Sequence, residues 1–221
     1  MSSIGSQPTE FLLDSAVLDD VAAAADLGFV SGVTTNPTLV AAAGLGEPAT
    51  RVEALLEAFP AGRVYHQLEA EEDGAAQVEI AAVRATSPDR VVLKLPATPW
   101  HYRLAAQLTA EGVAVSITAV YTASQLLLAA AVGAESVICY VDRAARLRPG
   151  GEALVSELRA GQHAGGGQVR IIAASVKSAP QATRAVLDGA HAVTAPLDVL
   201  EQLGTDPLTE QALQGFRQAF D

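Results

Sequence analysis

Residues 90–120 read RVVLKLPATPWHYRLAAQLTAEGVAVSITAV. The first six form a β-branched and leucine-rich run that stops before Pro96, and residues 101–111 have helical composition and periodicity. Gly112 stands where a helix ends in a left-handed turn, and 114–120 is a second β-like run. Strand, helix, glycine, strand is one unit of a parallel sheet.

The same unit recurs along the chain. Strand-like runs fall at 11–14, 32–35, 63–68, 90–95, 114–120, 136–141, 169–175 and 191–195. Helical segments lie at 18–27, 74–86, 101–111, 122–132, 151–161, 180–188 and 197–203, with Gly28, Gly112, Gly133 and Gly189 following four of them. Eight strands alternating with helices in 221 residues predict a closed (β/α)8 barrel forming a single domain over 1–221. Residues 208–220 read as an extra C-terminal helix, placed to pack on the barrel or on a neighbouring subunit. An open doubly wound sheet uses the same alternation, but its first strand carries a glycine-rich phosphate turn. Here the first strand is followed by DSAVLDD, without GxGxxG or GxxxxGK[ST].

Composition narrows the partners. The chain is half hydrophobic and 18% charged, yet no window approaches the roughly 18 uncharged apolar residues that span a bilayer. The segment MSSIGSQPTE has neither a basic nor an apolar region, so no secretory signal is expected. A lone cysteine, Cys139 in the apolar run SVICYV, reads as a core residue and fits the reducing cytoplasm. A formal net charge of −11 disfavours nucleic acid and anionic membranes, while leaving room for a small anionic ligand held by local cations.

Lys94 interrupts the first strand of the opening stretch, and it is one of only two lysines; the other is Lys177. In a barrel, the site forms at the C-terminal ends of the strands, where inward side chains alternate with helix-facing ones. The last polar residues of successive strands are Asp14, Asn36 just after GVTT, Gln67, Lys94, Thr118, Tyr140 and Ser175. Apolar neighbours set the parity. Lys94 alternates with Val91, Leu93 and Leu95; Thr118 with Val115 and Ile117; Tyr140 with Val137, Cys139 and Val141; Ser175 with Ile172 and Ala174. Each polar residue alone reads as a hydrogen-bonded core or turn residue, but their convergence on one end points to a site.

Burial lowers the pKa of a lysine and leaves a neutral amine able to attack a carbonyl and form a Schiff base, whose iminium accepts the electrons of a breaking C–C bond. A buried lysine paired with Asp14 for structure alone is the competing reading, and burial and charge leave both open. Asp14 suits proton transfer or hydroxyl binding, and it equally suits a helix cap. The segment VDRAARLRPGG reads as a loop after the sixth strand and collects Arg143, Arg146 and Arg148. Arg143 is nearest the strand end and suits a phosphate contact; Arg146 and Arg148 read as solvated. Ser175 belongs with the phosphate end, and Lys177 reads as an ordinary surface lysine. His66, His101, His163 and His191 lie in separate elements without ligand spacing, so neither a metal nor another cofactor is expected. Tyr65, Trp100 and Tyr102 read as packing residues.

The motifs FLLDSA, GVTTNPTLV, VVLKLPAT, ITAVYTASQ, YVDR, IIAASVK and TAPLDVL, in this order from Phe11 onward, resemble the small transaldolase family, and within it the fructose-6-phosphate aldolase branch. The resemblance implies a (β/α)8 barrel with a Schiff-base lysine at Lys94 and an aspartate at Asp14. It implies Gln67 and Tyr140 where transaldolases carry glutamate and phenylalanine. In the aldolase branch the tyrosine is an acid/base group working with a water held by the residues matching Gln67 and Thr118. Asn36 matches a contact to donor hydroxyls, and Arg143 and Ser175 match phosphate contacts. Ser15 and Val176 depart from the pattern, which has threonine and an aromatic residue there. The resemblance also implies a homo-oligomeric ring such as a decamer.

The sequence therefore points to a metal-independent class I aldolase acting on a small ketone such as dihydroxyacetone and on sugar phosphates. A transaldolase that passes the three-carbon unit to an acceptor is one alternative. A barrel that binds sugar phosphates without catalysis, with Lys94 structural, is the other.

Overall fold

The computed structural model describes residues 8–218. Eight strands, β1 (Glu10–Asp14), β2 (Val30–Thr34), β3 (Arg63–Gln67), β4 (Val91–Pro96), β5 (Val115–Val120), β6 (Ser136–Tyr140), β7 (Arg170–Ala174) and β8 (Ala192–Ala195), pair in sequence order. Every pairing is parallel, and β1 closes on β8, giving a (β/α)8 barrel. All eight expected strands are present.

The helices are α1 (Leu18–Asp26), α2 (Pro37–Ala43), α3 (Pro48–Ala58), α4 (Asp73–Thr86), α5 (Pro99–Ala110), α6 (Ala123–Ala131), α7 (Val141–Leu147), α8 (Leu154–Ala164), α9 (Ala179–Leu187), α10 (Leu197–Gln202) and α11 (Pro207–Gln218). Short loops carry the chain from strand to helix, and the caps are encoded locally. Asn36, Thr98, Thr122 and Ser178 each accept a backbone N–H three residues on, at the starts of α2, α5, α6 and α9. Among the described residues no helix is long and apolar enough to cross a membrane.

Three helices differ from the sequence reading. Residues 37–58 hold α2 and α3, neither of which was expected. The arginine-bearing segment after β6, read as a loop, is α7, which begins at the residue after the strand. It packs closely on the turn that follows, where a Cβ at Gly151 would lie 2.0 Å from the Ala144 carbonyl oxygen. The C-terminal helix spans 207–218; residues 219 and 220 of the expected 208–220 lie outside the described residues.

Strand parity divides the core into two layers. Leu13, Val64, Leu93, Leu95, Ile117, Val137, Cys139, Ile171 and Val193 face the helices. Leu12, Tyr65, Val92, Ile138, Ile172 and Ala192 fill the barrel. The N-terminal mouth is closed by paired charges around Tyr65. Arg63 holds Glu135 through two bonds of 3.0 and 3.1 Å, and Arg170 holds Glu10 at 2.9 Å.

The parity expected at Ser175 is reversed. Ile172 and Ala174 point into the barrel and Ala173 faces the helices. Ser175 follows β7 with φ of 60°, a left-handed conformation that breaks the alternation, so its place at the mouth comes from the turn. Val176 is then turned into the helix-facing layer, 1% exposed.

Candidate active site

Above the apolar plug the interior becomes polar. A cavity of about 410 Å³ opens at the C-terminal ends of the strands, and its walls include Asp14, Asn36, Gln67, Lys94, Tyr140, Arg143 and Ser175. Thr118 completes the set from behind, 1% exposed, with its Oγ1 3.3 Å from the Tyr140 hydroxyl. All eight residues singled out from the sequence meet in this region.

Lys94 sits on β4 between Leu93 and Leu95 and is 3% exposed. Its amine donates to the backbone oxygen of Thr35. Burial pulls its pKa from 10.5 down to about 8, against the opposing attraction of Asp14. Asp14 ends β1 and accepts from Thr34 Oγ1 at 3.2 Å; Thr34 Oγ1 is also 2.7 Å from Thr194 Oγ1. Burial pushes the Asp14 carboxyl up, while Lys94, the Thr34 bond and Lys177 pull it down, and burial prevails. The carboxyl is thus inclined to hold a proton, and the amine beside it to release one.

Gln67 is the register partner of Lys94 across β3 and β4. Its Oε1 is buried and has no hydrogen-bond partner among the described residues, which marks it as an acceptor for a ligand or water in the cavity. Tyr140 ends β6. Burial pushes its phenol up, with the Thr118 contact pulling the other way, so it stays a proton donor at neutral pH. Tyr121 packs edge-on against the Tyr140 ring at 5.9 Å.

Asn36 does two things. Its Oδ1 caps α2 by accepting from Leu39 N at 3.1 Å, and it lines the cavity beside Lys94. At the other end, the Arg143 guanidinium lies 5.0 Å above the Tyr140 ring. Arg146 is bound to Asp142 at 2.9 Å on the surface, as expected of a solvated residue. Arg148 is not solvated: it is half-buried and braces Tyr121 O at 2.6 Å and Glu157 at 2.5 Å. Lys177, read as an ordinary surface lysine, is exposed but stands in the wall of the cavity, which therefore holds Arg143 and Lys177 together with the Lys94 amine and the Asp14 carboxyl.

The sequence reading missed the Thr35 carbonyl and the Thr34–Thr194 pair, which no side-chain pattern signals. It also missed Arg51 on α3, the largest fully buried side chain, held by Glu69 at 2.7 Å. Arg51 lines a second, larger groove of about 690 Å³ that shares Pro37 and Gln67 with the first. The smaller cavity is the candidate because it contains Lys94, Asp14 and Tyr140 together. Cys139 is buried, its thiol pushed up to about 12 by burial, and is inert packing. Among the described residues, no three His, Cys, Asp or Glu side chains gather as a metal-ligand set.

The model of the family described as Transaldolase/Fructose-6-phosphate aldolase matches residues 11–221. The chain belongs to the transaldolase/fructose-6-phosphate aldolase family. It is 34% identical over 212 residues to a probable transaldolase 2 of Bacillus anthracis, covering 94% of this chain and 95% of that protein. It is 33% identical over 204 residues to a probable transaldolase of Dehalococcoides mccartyi, covering 92% and 94% of the two chains. A probable transaldolase of Geobacter sulfurreducens is 32% identical over 209 residues, with 94% and 95% covered. Membership places the chain among aldolases and aldol-transferring enzymes, and the family's barrel is the fold described above.

Proposed function

We propose that this chain is a class I aldolase that reversibly cleaves fructose 6-phosphate, or a similar sugar phosphate, into dihydroxyacetone and glyceraldehyde 3-phosphate. The observation that carries the reading is Lys94: a buried amine with a lowered pKa in the same cavity as Asp14 and Tyr140. The neutral amine attacks the substrate carbonyl, and Asp14 moves the protons that turn the carbinolamine into an iminium with loss of water. The C4 hydroxyl then gives up its proton to a water held by Gln67, Thr118 and Tyr140. The C3–C4 bond breaks and its electron pair moves toward the iminium nitrogen, leaving an enamine on Lys94 and a free aldehyde. Tyr140 returns a proton to C3, and water hydrolyses the iminium to release the ketone and restore the amine. Asn36 holds donor hydroxyls, while Arg143, Ser175 and Lys177 take the phosphate.

A transaldolase is the second reading, favoured by the names of the relatives. It retains the enamine until an acceptor aldose arrives. A phenol at 140 and an amide at 67 support free cleavage, because together they can deliver a proton to the enamine.

The proposal extends to a cytoplasmic ring of identical subunits. Leu208, Leu213 and Phe216 of α11 are 73%, 46% and 63% exposed, an apolar face suited to a neighbouring copy.

Two measurements test the reading. Borohydride added with dihydroxyacetone should leave a reduced adduct on Lys94, found by mass spectrometry; no adduct there would sink the Schiff-base mechanism and favour the non-catalytic barrel. Fructose 6-phosphate supplied alone should yield dihydroxyacetone at a steady rate, whereas product only in the presence of an acceptor aldose would make the chain a transaldolase.

A further inference from the structure

β3 leaves the barrel wall at Gln67, and the amides that follow need partners off the ladder. Leu68 N still donates to Lys94 O at 3.0 Å. The next two amides turn to one side chain on α4. Glu79 Oε1 accepts from Glu69 N at 3.0 Å, and Oε2 accepts from Ala70 N at 2.9 Å. The same carboxylate takes a third bond from His66 Nε2 at 2.7 Å. His66 and Glu79 are 2% and 10% exposed at the side chain. Burial raises a carboxyl, but the His66 contact and the two backbone N–H groups outweigh it and hold Glu79 below the usual carboxylate range. Glu79 is therefore an ionised carboxylate in the layer between barrel and helices, facing three donors.

The donors bracket one residue. His66 immediately precedes Gln67 and points to the opposite face of the strand, and Glu69 and Ala70 lie two and three residues after it. Their shared anchor leaves Gln67 little freedom to twist or slide. On the outer side, the Glu69 carboxylate grips the buried Arg51, tying the same loop to α3. Gln67 itself has a buried Oε1 without a protein partner, so the backbone beneath it must hold its aim.

We propose that Glu79, together with His66, is a positioning residue that holds Gln67 in register with Lys94 and so sets the rate of aldol cleavage. The proposal rests on the reading of Gln67 as the amide that holds the reacting water.

The test is a double-mutant cycle on the full-length enzyme, comparing the parent, Glu79→Gln, Gln67→Ala and the double variant. For each, release of dihydroxyacetone from fructose 6-phosphate and the borohydride adduct on Lys94 are measured. Glu79→Gln keeps the size of the side chain but offers one acceptor oxygen to three donors. It should slow release by about tenfold in the parent and by less than about twofold where Gln67 is already alanine, with the Lys94 adduct formed throughout. An equal loss in both backgrounds would mean that Glu79 only supports the scaffold, and unchanged release would mean that the clamp is idle; either overturns the proposal. If Glu79→Gln does not fold, His66→Asn removes one arm of the clamp and is carried through the same cycle. A parent enzyme without the adduct, or a Gln67→Ala variant with normal release, overturns the reading of the site and this proposal with it. An intact adduct, an impaired Gln67→Ala and an additive Glu79→Gln overturn this proposal alone.

Discussion

The Lys94 amine donates to the backbone oxygen of Thr35. An ammonium and a neutral amine both have an N–H to give a carbonyl, so Lys94 can lose its proton without losing this partner. The bond orients the nitrogen in both states, and burial then decides which state prevails.

Reactivity should rise with pH. With a pKa of about 8 in place of 10.5, the neutral fraction of Lys94 at pH 7 is on the order of 300-fold larger than for an exposed lysine. Adduct formation with dihydroxyacetone, measured at low ketone concentration, should climb between pH 6 and pH 8 and level off above it. A flat profile over that interval would contradict the assignment of the nucleophile.

The same shift costs stability. The unfolded chain binds the lysine proton more tightly than the folded chain does, so this contribution is unfavourable at neutral pH and is relieved as pH rises from about 8 to 10.5. A drop of that size corresponds to on the order of 3 kcal/mol. Lys94→Met should therefore abolish catalysis and raise the melting temperature; a lower melting temperature would show that the charge is better accommodated than its burial implies.

Tyr140→Phe removes the phenol and keeps the ring against Tyr121 and Arg143. Release of free dihydroxyacetone should fall by about 100-fold, while transfer to an acceptor aldose falls less. The ratio of the two activities is the readout, and an unchanged ratio would remove Tyr140 from the proton-transfer role.

Arg143→Ala should raise KM for a phosphorylated aldehyde by about 10- to 100-fold with little change in kcat, as expected for uniform binding of a group remote from the reacting carbon. An unphosphorylated aldehyde should respond little. Equal losses for both would place Arg143 in the chemistry instead of the phosphate contact.

Arg51 is 1% exposed, and its Nε and Nη2 have no hydrogen-bond partner among the described residues. Replacing such a cation by an apolar residue of similar length removes a desolvation penalty, so Arg51→Met should leave stability within about 1 kcal/mol of the parent or above it. Thermal unfolding checks this. A loss of several kcal/mol would mean that the Glu69 pair is a net stabiliser.

Strands were legible because short apolar runs between turn residues repeat at regular spacing; inward polar residues on β4, β5 and β6 followed from parity, and those on β1 and β3 from their place as the last polar residue of the strand. Three helices were not. α2 has no buried residue and α7 is only seven residues long, so neither displays a full apolar period. Ser175 escaped parity because its backbone is left-handed. Arg51 and Lys177 reach their cavities from a helix and a loop, where strand alternation carries no information. The partnership of His66 with Glu79 spans 13 residues and two elements, and nothing local to either residue announces it.

Glu135 and Glu10 each neutralise an arginine at the N-terminal mouth, whereas the wall of the cavity at the opposite end carries two exposed cations, Arg143 and Lys177, in a molecule of net charge −11. A distant anion is repelled by the net charge of the molecule. Within a Debye length of Arg143 and Lys177, about 8 Å in physiological salt, those two cations oppose that repulsion. Any attraction that an anionic substrate would meet is thus confined to the mouth and rests on the positions of two side chains.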